Sequence, residues 1–261
     1  MLDWEMVLPP SRPSATQLAA LRSIIEAVDR SKPVAVLGST PEFRDLLFEC
    51  GFLNVHVLER NLKFLNEMSA LRVHRNHEIV TEGNWLTTLP NMKGAFALIL
   101  SDLTSGNISY EDRAQFYEQI SAALMPGGIF CDKILTHPGP NIQVDALVEK
   151  YALLPVNLLY TNYFSCEMLF CSELLDQNLT VNSTHFYDTL DKRLDHPRVR
   201  AFMERAKKIT PPGFTWWYGR KWASLRRSYC PDLAVFHEAE EDSGSPYSGR
   251  LKYYCFRKNA L

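Results

Sequence analysis

Residues 34–43 read Val-Ala-Val-Leu-Gly-Ser-Thr-Pro-Glu-Phe. The apolar run from Val34 to Leu37 stops at Gly38, small hydroxylated residues follow, and Phe43, Leu46, Leu47 and Cys50 then recur at helical spacing. That is the pattern of a buried strand, a tight turn and a helix start. In an open α/β sheet such a turn lies at the carboxyl edge of the first strand, where ligands bind. Glycine suits it because a residue without Cβ lets a ligand approach the backbone.

The chain extends the same rhythm on both sides of this turn. Upstream, Ser14 or Thr16 can cap a helix carrying Leu18, Leu21, Ile25 and Val28 on one face, and Pro33 ends the connection. Downstream, Gly51 stands where a helix C-cap glycine belongs. Val55–Leu58 predicts a second strand ending at Glu59, and Leu62, Leu65 and Met68 a short helix. A third strand begins at Ile79-Val80 and closes at Gly83-Asn84-Trp85; a fourth, Phe96–Leu100, ends at Ser101-Asp102. Ser109 with Asp112 forms a loose capping box for a helix carrying Phe116, Ile120, Ala123 and Leu124. Pro126-Gly127-Gly128 breaks that helix, and Ile129-Phe130-Cys131 enters a fifth strand. Regular strand–helix alternation argues for a parallel sheet covered on both faces.

After Asn141 the rhythm changes. One more helix (Val144, Leu147, Val148, Tyr151) follows the fifth strand, then a mostly helical stretch with faces Phe164/Met168/Cys171/Leu175 and Val199/Phe202/Met203/Ala206. An aromatic knot, Phe214-Thr215-Trp216-Trp217-Tyr218, precedes two last strands, Leu233–Phe236 and Leu251–Phe256, most simply an antiparallel hairpin. Before the first helix, Pro9, Pro10 and Pro13 forbid regular helix, while Trp4, Met6, Val7 and Leu8 suggest a docking segment; a frayed terminus is the alternative. The division that results is a docking segment at 1–13, an α/β core at 14–159 and 230–261, and a helical cap insertion at 160–229.

Composition narrows the class. A formal net charge of −2 favours no polyanionic partner. Six cysteines show no CxxC pair and no framework spacing, which reads as reduced core thiols in a cytoplasmic protein. No basic segment followed by an apolar one marks a signal peptide, and no apolar run reaches the length of a membrane span.

Five alternating strands followed by a closing hairpin resemble the class I S-adenosylmethionine (SAM)-dependent methyltransferase fold, a Rossmann-like, mostly parallel seven-stranded sheet whose last strand inserts antiparallel. The resemblance implies SAM as cofactor and a small-molecule substrate, with no membrane and no nucleic acid required; it is compatible with a homodimer. The family's glycine-rich first motif is reduced here to Leu37-Gly38-Ser39-Thr40-Pro41, with Val36 where an acid is common. Glu59 matches the acidic residue that grips the ribose hydroxyls, with Arg60 beside it. Gly83, Asn84 and Trp85 fall at the adenine end, and Asp102 with Leu103 beside the sulfonium. A carboxylate about 20 residues after a glycine turn suits a ribose diol and would repel a phosphate.

Other readings stay open at single residues. Asp102 can act as base or orient a nucleophile, and can equally cap a helix or meet the cofactor's ammonium. His137, just past the fifth strand, is a second candidate base. Asn107, Tyr110, Trp216 and Trp217 are candidate substrate contacts. His74 and His77 lack an evident third ligand, so no metal is expected. A Rossmann dehydrogenase also wants an acid after its second strand but normally shows G-x-G-x-x-G, which this turn lacks. Basic residues with interleaved aromatics between Lys192 and Arg227 could bind RNA, or be a solvated helix face and a hinge for the cap. A SAM-using enzyme that displaces at the sulfonium without methyl transfer also fits the reduced first motif.

Overall fold

The fold is that of a computed structural model, in which residues 3–9, 11–136, 142–171, 180–193, 195–217, 231–239, 246 and 249–259 are described. In chain order the elements of the first half are α1 (Ala15–Glu26), β1 (Val34–Leu37), α2 (Pro41–Glu49), β2 (Val55–Glu59), α3 (Leu62–Ala70), β3 (Ile79–Glu82), α4 (Trp85–Thr88), β4 (Phe96–Asp102), α5 (Tyr110–Ala123) and β5 (Leu124–Leu135). Then follow α6 (Val144–Leu153), α7 (Leu158–Met168), β6 (Thr180–Asn182), α8 (Ser183–Arg193), α9 (Pro197–Ile209), β7 (Thr215–Trp217), β8 (Leu233–Ala239) and β9 (Leu251–Lys258).

One sheet of seven strands runs in the order β3-β2-β1-β4-β5-β9-β8. The first five are parallel, and β9 lies antiparallel between β5 and β8. This is the arrangement that the resemblance implies. All four residues of β1 are buried, as a parallel strand flanked on both faces requires. Val34 and Val36 pack with Phe43, Leu46 and Leu47 of α2 on one face, while Ala35 and Leu37 pack with Phe116 and Ile120 of α5 on the other. Because β1 pairs with both β2 and β4, the chain reverses direction of travel across the sheet at β1, and a crevice opens at its carboxyl end.

Local chemistry sets the helix starts. Ser14 accepts from Gln17 N and Gln17 Oε1 accepts from Ser14 N, a complete capping box. Ser109 Oγ likewise accepts from Asp112 N. At the sheet edge, Arg44 and Arg72 both pair with Glu78 and bind the exposed β3 to α2. Glu78 is thereby occupied, and His74 is held through its backbone N–H by Asp45.

Two boundaries differ from expectation. The short helix α4 begins at Trp85, where only a strand end was expected, because Asn84 Oδ1 caps it by accepting from Leu86 N. The fifth strand starts at Leu124 rather than Ile129: Leu124 pairs with Phe96, and residues 125–128 form an irregularity before pairing resumes at Ile129. The glycines that break the helix thus interrupt a strand.

Between β5 and β8 the helices form their own core. Val144, Leu147 and Tyr151 of α6 join Phe164 and Met168 of α7, Phe186 and Leu190 of α8, and Phe202 and Met203 of α9. The sequence division counted α6 with the sheet; its buried face packs with α7, α8 and α9. Cys171 shares this cluster as expected, and Leu175 lies outside the described residues. Several basic residues of the segment have structural work. Arg198 donates to Ala152 O at 2.9 Å and Arg205 to Val156 O at 3.2 Å, joining α9 to the last turn of α6 and to the α6–α7 connection.

Candidate active site

The carboxyl ends of β1, β2 and β4 meet at a cavity of about 200 Å³. A wider one of about 610 Å³ lies beside it and shares Glu59, Trp85 and Asn107 with it. Gly38, Ser39 and Thr40 form one wall of the narrow cavity. Gly38 has φ +91°, the left-handed region that side chains avoid, and its N–H donates to Leu58 O at 2.9 Å. A Cβ there would lie 3.9 Å from Glu59 Oε2, so the backbone angle rather than lack of room asks for glycine.

Glu59 is buried at the end of β2. Its Oε2 accepts from Ser39 Oγ at 3.0 Å and its Oε1 from Asn61 N at 2.9 Å. Each carboxylate oxygen has a second lone pair, so a diol can be accepted without breaking either bond. Trp85 Nε1 donates to Leu58 O at 2.8 Å, which pins the indole beside this carboxylate. Val36, at the position where the family favours an acid, is wholly buried in the core.

Asn84 and Arg60 are exposed on the wider cavity. The Asn84 amide oxygen accepts the α4 cap bond at 3.0 Å and keeps a second lone pair. Gly83 lines neither cavity; a Cβ on it would fall 2.5 Å from Thr88 Cγ2, and its N–H donates to Glu59 O. Asn107 borders both cavities, and its Nδ2 donates to Leu103 O at 3.2 Å. Leu103 lines the narrow cavity with φ +61°, the one non-glycine at positive φ among the described residues. That conformation costs on the order of 1–2 kcal/mol.

Tyr110 lines neither cavity; the Arg113 guanidinium sits 4.7 Å over its ring. The backbone of Trp216 and Trp217 lies in β7, paired with β6 and beside the Thr104–Asn107 turn; their side chains lie outside the described residues. Phe214, just before them, reaches both cavities. His137 lies outside the described residues, as do Arg220, Lys221, Arg226 and Arg227.

Asp102 faces the narrow cavity, and its side chain is 4% exposed. Its Oδ1 meets Lys133 Nζ at 2.8 Å and accepts from Tyr253 Oη at 3.1 Å. Lys133 is fully buried and lies 5.1 Å from the centre of the Tyr253 ring. Burial pushes the Tyr253 phenol well up, so it stays a donor. Sequence reasoning missed Lys133, although the signal was present: Asp132-Lys133 interrupts the otherwise apolar Ile129–Leu135.

The neighbouring Asp132 points to the opposite face, where Ser101 Oγ donates to its Oδ1 at 2.7 Å. Burial pushes its carboxyl up to about 7, with Ser101, Ser105 and Arg113 pulling the other way. Its proton is bound more tightly in the fold than in the unfolded chain, so stability should fall as pH rises from about 4 to about 7 and then level off. Asp132→Asn is expected to remove that slope and to gain on the order of 1–3 kcal/mol at pH 8 relative to pH 5, read from urea midpoints.

A strap at residues 3–9 and 11–13 closes one side. Trp4, Val7 and Ser11 line the narrow cavity. Trp4 Nε1 donates to Glu42 at 3.2 Å, and Arg12 pairs with the same carboxylate. Asn162 of α7 accepts from Leu8 N and donates to Met6 O, both at 2.9 Å. Asn162→Ala removes both strap bonds. It is expected to cost about 2 kcal/mol and to speed hydrogen exchange at the Leu8 amide more than in β1.

No protein-family model matches the chain, and no curated protein matches it by sequence. Solved structures do match over nearly the whole chain. A SAM-dependent methyltransferase from Methanosarcina mazei aligns with TM-score 0.55 at 10% identity, covering 92% of this chain and 98% of that one. A SAM-dependent methyltransferase, provisionally so described, from Listeria monocytogenes aligns with TM-score 0.53 at 10% identity, covering 94% and 100%. A protein provisionally described as a Zn-dependent alcohol dehydrogenase, from Rhodobacter sphaeroides, aligns with TM-score 0.59 at 15% identity, covering 98% and 96%. At these identities the likeness is one of fold. Together with the antiparallel β9, it gives the chain the class I SAM-dependent methyltransferase fold. Among the described residues no helix is long and apolar enough to cross a membrane, and no three His, Cys, Asp or Glu side chains are grouped to hold a metal ion.

Proposed function

We propose that the chain is a SAM-dependent methyltransferase acting on a small molecule. The observation that carries this reading is the buried Glu59 at the end of β2, facing the same cavity as the left-handed Gly38 turn and the pinned Trp85. A diol fits that carboxylate, an adenine ring fits beside the indole along the wider cavity, and a cationic end fits Asp102.

The residues therefore suit SAM. Gly38 to Thr40, Glu59, Trp85, Asp102 and Leu103 would hold it, with Arg60 and Asn84 along the open end and Gly83 supporting the Glu59 backbone. Bound there, the cofactor supplies an electrophilic methyl on a sulfonium whose sulfur leaves as a neutral thioether. The chain's own part is to hold charge, orient the acceptor and exclude water. Asp102 fixes negative charge near the cationic centre, Leu103 and Thr104 hold the floor, and α7, the end of α9 and the strap close over the acceptor. The cap in this reading comprises α6 to α9. Alignment of the acceptor's lone pair in a dry chamber supplies most of the rate.

Calorimetry with S-adenosylhomocysteine (SAH) tests the cofactor. Micromolar binding is expected, and no binding at millimolar ligand would sink the proposal. Incubation with SAM tests the reaction: SAH formed only when an acceptor is added supports methyl transfer, whereas methylthioadenosine released without acceptor points to displacement within the cofactor.

A further inference from the structure

The narrow cavity has a cofactor end and a second end that the cofactor reading does not use. That second end is built by Val7 of the strap, Leu135 at the end of β5, Leu169 after α7, Ile209 at the end of α9 and Leu251 of β9. Charged lining among the described residues is confined to Glu59 and Asp102, both anionic and both at the cofactor end. Asp102 is held by Lys133, and Glu59 by Ser39 and Asn61.

Besides Ser11 of the strap, one polar pair breaks the apolar wall. Ser165 Oγ and Thr210 Oγ1 lie 2.9 Å apart, both buried and both on the cavity. Thr210 is fixed from behind, since Tyr187 Oη donates to its carbonyl at 2.6 Å. Two hydroxyls bring two hydrogens, and the bond between them uses one. The other is left to donate, and the chamber is where an incoming partner can meet it.

Resting on the methyltransferase reading, we propose that the acceptor is a small, neutral, largely apolar molecule with one hydrogen-bond-accepting group, a carbonyl or a ring nitrogen, that docks on the Ser165–Thr210 hydroxyl pair, and a separate uncharged nucleophilic atom that points to the cofactor end. A carboxylate would lose its hydration, face Glu59 and Asp102 and meet no cation in the described lining. An ammonium has no lone pair with which to attack. In the transfer itself the acceptor's lone pair forms the new bond to carbon. The carbon–sulfur pair returns to sulfur, and a proton on the attacking atom stays on the methylated product until release, when bulk water takes it up.

The test uses three near-isosteric probes on the full chain saturated with SAH: acetophenone, benzoate and cumene, read by saturation-transfer NMR titration. Acetophenone is expected to bind at least about tenfold more tightly than benzoate. It should also bind several-fold more tightly than cumene, which lacks the carbonyl. The double variant Ser165→Ala/Thr210→Val should erase the acetophenone-over-cumene advantage while leaving cumene and SAH binding unchanged; each single variant leaves one hydroxyl whose hydrogen is no longer used in the pair, and should keep most of that advantage. Benzoate binding as tightly as acetophenone, an advantage that survives both substitutions, or no binding of acetophenone up to its solubility would each overturn the proposal. Failure of SAH to bind would instead strike the cofactor reading. The probes, titrated on the unloaded chain, would still decide the acceptor class.

Discussion

Lys133→Met is expected to cost about 3–5 kcal/mol of stability at neutral pH, because it leaves the Asp102 carboxylate buried without its cation. The loss should shrink in acid. The orphaned carboxyl binds its proton more tightly in the fold than in the unfolded chain, so lowering the pH favours the fold and removes the buried charge. Urea unfolding at several pH values reads this directly. The double variant Asp102→Asn/Lys133→Met should recover most of the loss, since a neutral pair carries no unpaired charge. Tyr253→Phe removes one hydrogen bond to the same oxygen and should cost only about 1 kcal/mol. A Lys133→Met protein as stable as the parent at neutral pH would mean that the ion pair does not hold Asp102.

The second large effect is on ligand binding. Glu59→Gln keeps shape and one carbonyl oxygen but loses the charge that strengthens hydrogen bonds to a diol. SAH affinity is expected to fall by about 2 kcal/mol, roughly thirtyfold, while stability changes by about 1 kcal/mol. The ribose assignment has its own control: an SAH analogue without ribose hydroxyls should bind parent and variant about equally. Equal sensitivity with and without those hydroxyls would move the ribose elsewhere.

Much of the frame was readable because it is local. Val34–Leu37 matches β1 residue for residue, and Glu59 closes β2 as expected. Ser14 and Ser109 cap the helices they were expected to cap, because a short hydroxyl side chain acts within one turn. What escaped depends on pairing across the chain. The start of β5 at Leu124 follows from its partner Phe96, which no local pattern reveals. Asn84 was legible as a polar turn residue but not as the cap of α4, whose Leu86 N–H its amide oxygen accepts. The apolar end of the narrow cavity draws on Val7, Ser165, Thr210 and Leu251, which are far apart in sequence and share no motif. Lys133 and Asp102 meet because β4 and β5 are paired in register, Asp102 directly beside Lys133.

The position of β9 also sets a schedule for synthesis. It sits between β5 and β8 and is the last strand of the sheet to be made. Leu251 on the chamber wall and Tyr253 on Asp102 both arrive with it. A nascent chain still short of residue 251 can assemble the corner around Glu59. It cannot complete the charged corner around Asp102, nor cover the flank of β5. Ribosome-bound chains of that length should expose an unpaired β5 edge and be aggregation-prone, and competence to bind cofactor should appear only once β9 has left the exit tunnel.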